Sequence, residues 1–256
     1  MRSTQLALDR YDTDKTRSGH LGYYDPILQP WVDKPVKLLE IGVLKGGALL
    51  LWRDYFPLGT IVGIDINLPK GFWPGERIHV FEGSQDNPQF LSEVANRMAP
   101  EGFDIIIDDA SHIGELTRKS FWHLFENHLK AGGIYAIEDW GTGYWDDWPD
   151  GKSVSQKQPT VSRIQRRLIP WLSVTAKKCH LKMPFSDGFG SHLFLLFPKA
   201  SVPCHSYGMV GFVKELVDET CADVVTSGRS DKPPTRQSKF ESVLITHSIV
   251  FVRKVD

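Results

Sequence analysis

From Val36 to Trp140 short apolar runs alternate with stretches whose apolar residues recur at helical spacing. The runs are VKLLEIGV, TIVGIDI, RIHVFEG, FDIIIDDA and GIYAIEDW. Between them, GGALLLWRDYF, NPQFLSEVANRM and GELTRKSFWHLFENHLK read as helices: Phe90, Leu91, Val94, Ala95 and Met98 share one face, as do Phe121, Leu124, Phe125 and His128. Alternation of this kind predicts an α/β fold with a parallel sheet covered by helices on both faces. The runs Leu38 to Val43 and Phe103 to Ile107 are apolar on both sides, as central strands require. Gly132 and Gly133 are expected to stop the long helix and turn the chain into the next strand.

After Trp140 the pattern dissolves into GTGYWDDWPDGKSVSQKQPT, which reads as a long loop. Order is expected to return with SHLFLLFP, a helix at VGFVKELVDE and two strand-like runs, ESVLITH and SIVFVRKV, that close the sheet edge with an antiparallel strand. The polar TSGRSDKPPTRQSK between them reads as irregular chain. One domain is predicted, with an N-terminal lid segment (1–35), a cofactor-binding core (36–140), an acceptor loop (141–205) and a closing helix and strands (206–256).

Composition narrows the partners. Thirty basic residues against thirty-one acidic ones leave a formal net charge of -1, so no global field recommends nucleic acid or an anionic membrane. The charged start and the absence of a long apolar run predict a cytosolic protein without a membrane span. Three scattered cysteines, Cys179, Cys204 and Cys221, fit neither a disulfide framework nor a metal knuckle and are expected to be packed thiols.

The chemistry concentrates at predicted strand ends. LLEIGVLKGGA sets Glu40, Gly42, Gly46 and Gly47 at the first strand-helix junction, but Leu44 breaks the G-x-G-x-x-G spacing that a pyrophosphate needs. The spacing E-x-G-x-x-x-G instead favours a phosphate-free cofactor, S-adenosylmethionine over NAD. Asp65, ending the second strand, is placed to accept both ribose hydroxyls, or to cap the turn that follows. Ser84, Gln85 and Asp86 either contact adenine or form a helix N-cap.

Asp108, Asp109, His112, Glu138 and Asp139 should gather at the carboxyl edge of the sheet. So many acids repel unless a cation joins them, and a hard ion such as Mg2+ would do so; the alternative leaves the acids facing solvent or capping helices. His112, just past Asp109, is either a general base for an acceptor hydroxyl or a capping residue. Trp140, Tyr144, Trp145 and Trp148 suit stacking on a sugar or aglycone, or an oligomer contact.

These segments, together with DKTRSGHLGYYDPIL near the start and the late YGMVGFVKELVDE, resemble the metal-dependent sugar O-methyltransferases of antibiotic biosynthesis. That group is related to the mycinamicin and macrocin O-methyltransferases and to cephalosporin-hydroxylase-like proteins. The resemblance implies a Rossmann-like class I methyltransferase fold with S-adenosylmethionine and Mg2+ or another divalent cation. It implies Asp109 and Asp139 as metal ligands, His112 as base, Asp108 at the cofactor, Glu138 as a further ligand and Asp25 as a fourth. Asp25 stands where relatives often carry Glu. The implied acceptor is a sugar-bearing natural product or a nucleotide sugar; a homo-oligomer is also expected.

Overall fold

The computed structural model describes residues 1–71, 74–157, 205–227 and 233–256. Seven strands form one sheet: β1 (Lys37–Ile41), β2 (Thr60–Asp65), β3 (Ile78–Glu82), β4 (Phe103–Asp108), β5 (Leu129–Glu138), β6 (Phe240–Ile245) and β7 (Ile249–Lys254). Their order is β3-β2-β1-β4-β5-β7-β6. The first five pair in parallel, β7 runs antiparallel to β5, and β6 antiparallel to β7. The predicted α/β architecture and its antiparallel edge are therefore present.

Chain order explains the crevice. Strand β1 feeds β2 and β3 on one side, and the chain then returns to place β4 on the other. Ile41 is in register with both Ile64 and Asp108, so the ends of β1, β2 and β4 open on one edge at the point where the order reverses. A sheet of this kind binds its ligand there.

Each face carries its own core. One packs Leu39, Ile106, Tyr135 and Ile137 against α3 (Pro88–Met98), α4 (Gly114–Asn127) and α6 (Gly208–Thr220), through Leu91, Val94, Phe121, Leu124, Phe125 and Phe212. The other packs Leu38, Ile105, Ile107 and Ala136 against α1 (Leu21–Leu28) and α2 (Gly47–Tyr55), through Tyr24, Leu28, Leu49, Trp52 and Tyr55. Burying side chains of this size stabilises the fold by roughly 1.5–3 kcal/mol each before entropy is counted.

Three sequence expectations shift. Helix α4 ends at Asn127, and Gly132 and Gly133 lie inside β5. Buried Leu129 already pairs with Phe103, and the register skips until Ile134 because Gly132 sits at a φ of 67°. The segment expected to be a loop holds a short 3-10 turn (Trp140–Tyr144) and helix α5 (Pro149–Lys157), which starts with Pro at its first position. Cys221 is exposed; Cys179, Cys204 and the SHLFLLFP run lie outside the described residues. Among the described residues no helix is long and apolar enough to cross a membrane.

Candidate active site

A cavity of about 390 Å³ opens at the carboxyl edge. Its walls come from the turn after β1 (Gly42, Val43, Leu44, Lys45), from Asp65, from Gly83 to Gln85, from Asp109 to His112, from Asp139, and from Asp12 to Asp14 of the N-terminal segment. Two glycines allow this closeness. A Cβ on Gly42 would stand 2.1 Å from the Asp109 carbonyl oxygen, and one on Gly47 would stand 2.1 Å from that of Asp12. Gly46, at a φ of 84°, caps α2 and is not among the lining residues.

Asp65 ties the turn to β2. One carboxylate oxygen accepts from the backbone N–H groups of Val43 (2.7 Å) and Leu44 (3.1 Å), the other from Asn67 (2.9 Å). The group lines the cavity and keeps acceptor capacity for a ribose, since each ionised oxygen takes about two donors. Asp65→Ala is expected to weaken S-adenosylhomocysteine binding by about tenfold or more, the scale of one or two charge-assisted bonds. Calorimetric titration measures this, and unchanged affinity would remove Asp65 from the cofactor site.

Ser84 and Gln85 also line the cavity, but Asp86 does not. The Ser84 hydroxyl donates to Asp86 (2.6 Å), and the N-cap of α3 is Asn87, which accepts from Phe90. Gln85 accepts from the Ser111 N–H and donates to Ser120 and, at 3.4 Å, to Asp108. Asp108 is buried, accepts from Ser120 (2.7 Å) and Tyr135 (3.2 Å), and stays away from the cavity; burial pushes its carboxyl pKa up.

Asp109, His112 and Asp139 come together: one ligand atom from each lies within 4.8 Å of the others. The His112 Nε2 is 3.8 Å from Asp109 and 3.9 Å from Asp139. His112 and Asp139 hold left-handed backbone, at φ 50° and 52°, and Leu44 across the cavity does the same at 49°. Such strain persists only where surrounding contacts enforce it, and it gathers at functional sites. Two carboxylates and an imidazole are a donor set that fits a divalent cation.

Glu40 and Glu138 do not face this point, because the ammonium of Lys15 holds them. Lys15, wholly buried, donates to Asp109 and forms ion pairs with Glu138 at 2.9 Å and Glu40 at 3.3 Å. Burial opposes its charge, but Asp109, Glu138 and Glu40 outweigh that and raise its pKa well above the usual lysine value. Glu138 also receives bonds from Tyr24 and His20; these and Lys15 overcome burial and hold its carboxyl at about 2. Glu40 is pushed up to about 7 by burial, against the pull of Lys15. It accepts from the Trp52 indole and does not line the cavity.

Glu40 and Glu138 are thus linked to Asp109 through Lys15. Asp25 lies elsewhere, its carboxylate taken by Ser3 and by the Tyr55 hydroxyl (2.7 Å), so the geometry does not bring it to the triad. Of the four acids expected from sequence as ligands, the structure brings Asp109 and Asp139 together, with His112 beside them. Of the aromatic loop, Trp148 and Trp140 donate inward to the carbonyls of His112 and Thr246, and Trp145 stays exposed.

No protein-family model matches the chain. It is 41% identical over 188 residues to demethylmacrocin O-methyltransferase of Streptomyces fradiae, covering 70% of this chain and 45% of that protein. It is 36% identical over 163 residues to mycinamicin VI 2''-O-methyltransferase of Micromonospora griseorubida, covering 58% of this chain and 40% of that one. Among solved structures it is similar to the MycE methyltransferase of the mycinamycin biosynthetic pathway in complex with Mg and SAH. That match has 26% identity and a TM-score of 0.61, and covers 91% of this chain and 49% of the other. The fold is therefore that of a class I methyltransferase. The curated relatives, 36–42% identical, are sugar O-methyltransferases of macrolide and tetracenomycin biosynthesis, and the chain spans less than half the length of each.

Proposed function

We propose that the chain acts as an O-methyltransferase that uses S-adenosylmethionine and a divalent cation to methylate a hydroxyl on a sugar-bearing natural product. The observation that carries this reading is the convergence of Asp109, His112 and Asp139 in the wall of the cavity that Gly42 and Asp65 also line. In this assignment Asp65 holds the ribose and the turn at Gly42 to Leu44 lies against the cofactor's amino-acid end. His112 accepts the proton of the acceptor hydroxyl as its oxygen attacks the methyl group in line; the carbon-sulfur bond breaks and its electron pair stays on sulfur, leaving S-adenosylhomocysteine. Asp109 and Asp139 would hold the cation, which supplies positive charge that makes the hydroxyl more acidic.

A second, metal-free reading has one observation in its favour: Lys15 already compensates Glu40, Glu138 and one oxygen of Asp109. Asp139 and the other Asp109 oxygen stay outside that network, which is why the metal reading is preferred. Transfer of labelled methyl from S-adenosylmethionine to a panel of sugar-bearing macrolides, in Mg2+ and in EDTA, separates the two. Activity should vanish in EDTA and return with Mg2+. Asp109→Asn and Asp139→Asn should each raise the Mg2+ concentration needed for half-maximal rate by about tenfold or more. Equal rates in EDTA and Mg2+ would establish the metal-free mechanism.

A further inference from the structure

His112 does not hold its unusual backbone unaided. Its carbonyl oxygen accepts two side-chain hydrogen bonds, from the Thr142 hydroxyl and from the Trp148 indole N–H, both at 3.2 Å. Both donors lie beyond β5, 30 and 36 residues away in sequence. The same segment reaches the other side of the His112 turn through Asp150, whose carboxylate accepts from the Gly114 N–H at 2.9 Å. That oxygen also accepts from the Met209 N–H at 2.8 Å, which joins the starts of α4 and α6. The Trp148 ring then flanks the imidazole, with centroids 5.9 Å apart and planes tilted by 45°.

We propose that Thr142, Trp148 and Asp150 are positioning residues forming a clamp that fixes the His112 turn and so aims its imidazole at Asp109 and Asp139. Left-handed backbone is unfavourable for a residue with a Cβ, and the turn would relax without partners outside its own loop. The clamp springs from the segment that begins with Asp139, so it ties the two halves of the triad, one following β4 and the other β5, into one unit. Trp148 is not among the residues of the cavity wall.

The inference rests on the proposed role of His112, and the test keeps the two apart. Protein carrying 13C in its histidine rings is compared as wild type, Thr142→Val, Trp148→Phe and the double variant, with the His112 signal assigned by its loss in His112→Asn. Mn2+ serves as a paramagnetic probe of the triad, and titration with S-adenosylhomocysteine reports the cofactor cavity. In wild type Mn2+ should broaden the His112 signal strongly. In the double variant that signal should move or split and its broadening by Mn2+ should fall several-fold, with S-adenosylhomocysteine affinity and melting temperature close to wild type. A His112 signal with wild-type position and broadening in the folded double variant overturns the clamp. So does a parallel loss of cofactor affinity, which would mark general loosening. If either substitution prevents folding in combination, the single variants are read by the same criteria. A wild-type His112 signal untouched by Mn2+ would instead refute the metal reading, and the shift between wild type and variants would still decide the clamp.

Discussion

Lys15→Met is expected to destabilise the protein by about 3–5 kcal/mol, the usual cost of removing one partner from a buried ionic network. The buried ammonium faces Glu40 and Glu138, both also buried, and Asp109 at the cavity wall, and only His20 among the remaining neighbours of Glu138 can carry positive charge there. For a chain of this length such a loss lowers the melting temperature by on the order of 10 °C. The acid side of the stability profile should move as well. Glu138 is held at about 2 in the folded protein, below the ordinary carboxylate range. The stability it contributes is therefore complete above that range and is lost as pH falls toward 2. Without Lys15 the loss should begin at higher pH. Thermal melts of wild type and variant between neutral and acid pH test both points; a variant that melts with wild type at every pH would show that the network contributes nothing to folding.

His112→Ala is expected to lower turnover by about 10²–10⁴-fold, the usual contribution of a positioned acid or base. Affinity for S-adenosylhomocysteine should change little, because the imidazole is assigned to the acceptor. The contrast with Asp65→Ala, which should lose cofactor affinity first, makes the assignment specific. Near-normal turnover in His112→Ala would leave the residue as a structural turn and move the search for a base to other groups of the cavity wall.

How far the sequence carried this picture depends on the range of each interaction. Strands and helices of the sheet core rest on local periodicity, so β1 to β5 and the helices between them could be read directly, as could the acids at the strand ends. What each acid faces depends on chain far away. Lys15 lies 94 residues before Asp109, in three-residue turns that leave no periodic trace. So many acids require a cation, and the ammonium in DKTRSGH supplies one where the sequence alone suggests a metal. Glu138 and Asp139 adjoin in sequence yet diverge, because a strand alternates its side chains and Asp139 has already left β5 for left-handed backbone. Asp25 follows Tyr24 directly in α1 and so points about 100° away around the helix, to the side where Tyr55 and Ser3 hold its carboxylate. Gly47 was legible as a glycine of the turn, but its reason, the approach of Asp12, was not.

The cavity beside Gly42 and Asp65 is proposed to take S-adenosylmethionine. Calorimetric titration of the wild-type protein with S-adenosylhomocysteine, set against NAD under the same conditions, tests it most directly. Saturable one-to-one binding of S-adenosylhomocysteine is expected, weakened in Asp65→Ala, with no heat from NAD, whose pyrophosphate lacks the closely spaced glycines it needs beside Leu44. Binding of NAD with no response to S-adenosylhomocysteine would contradict this assignment.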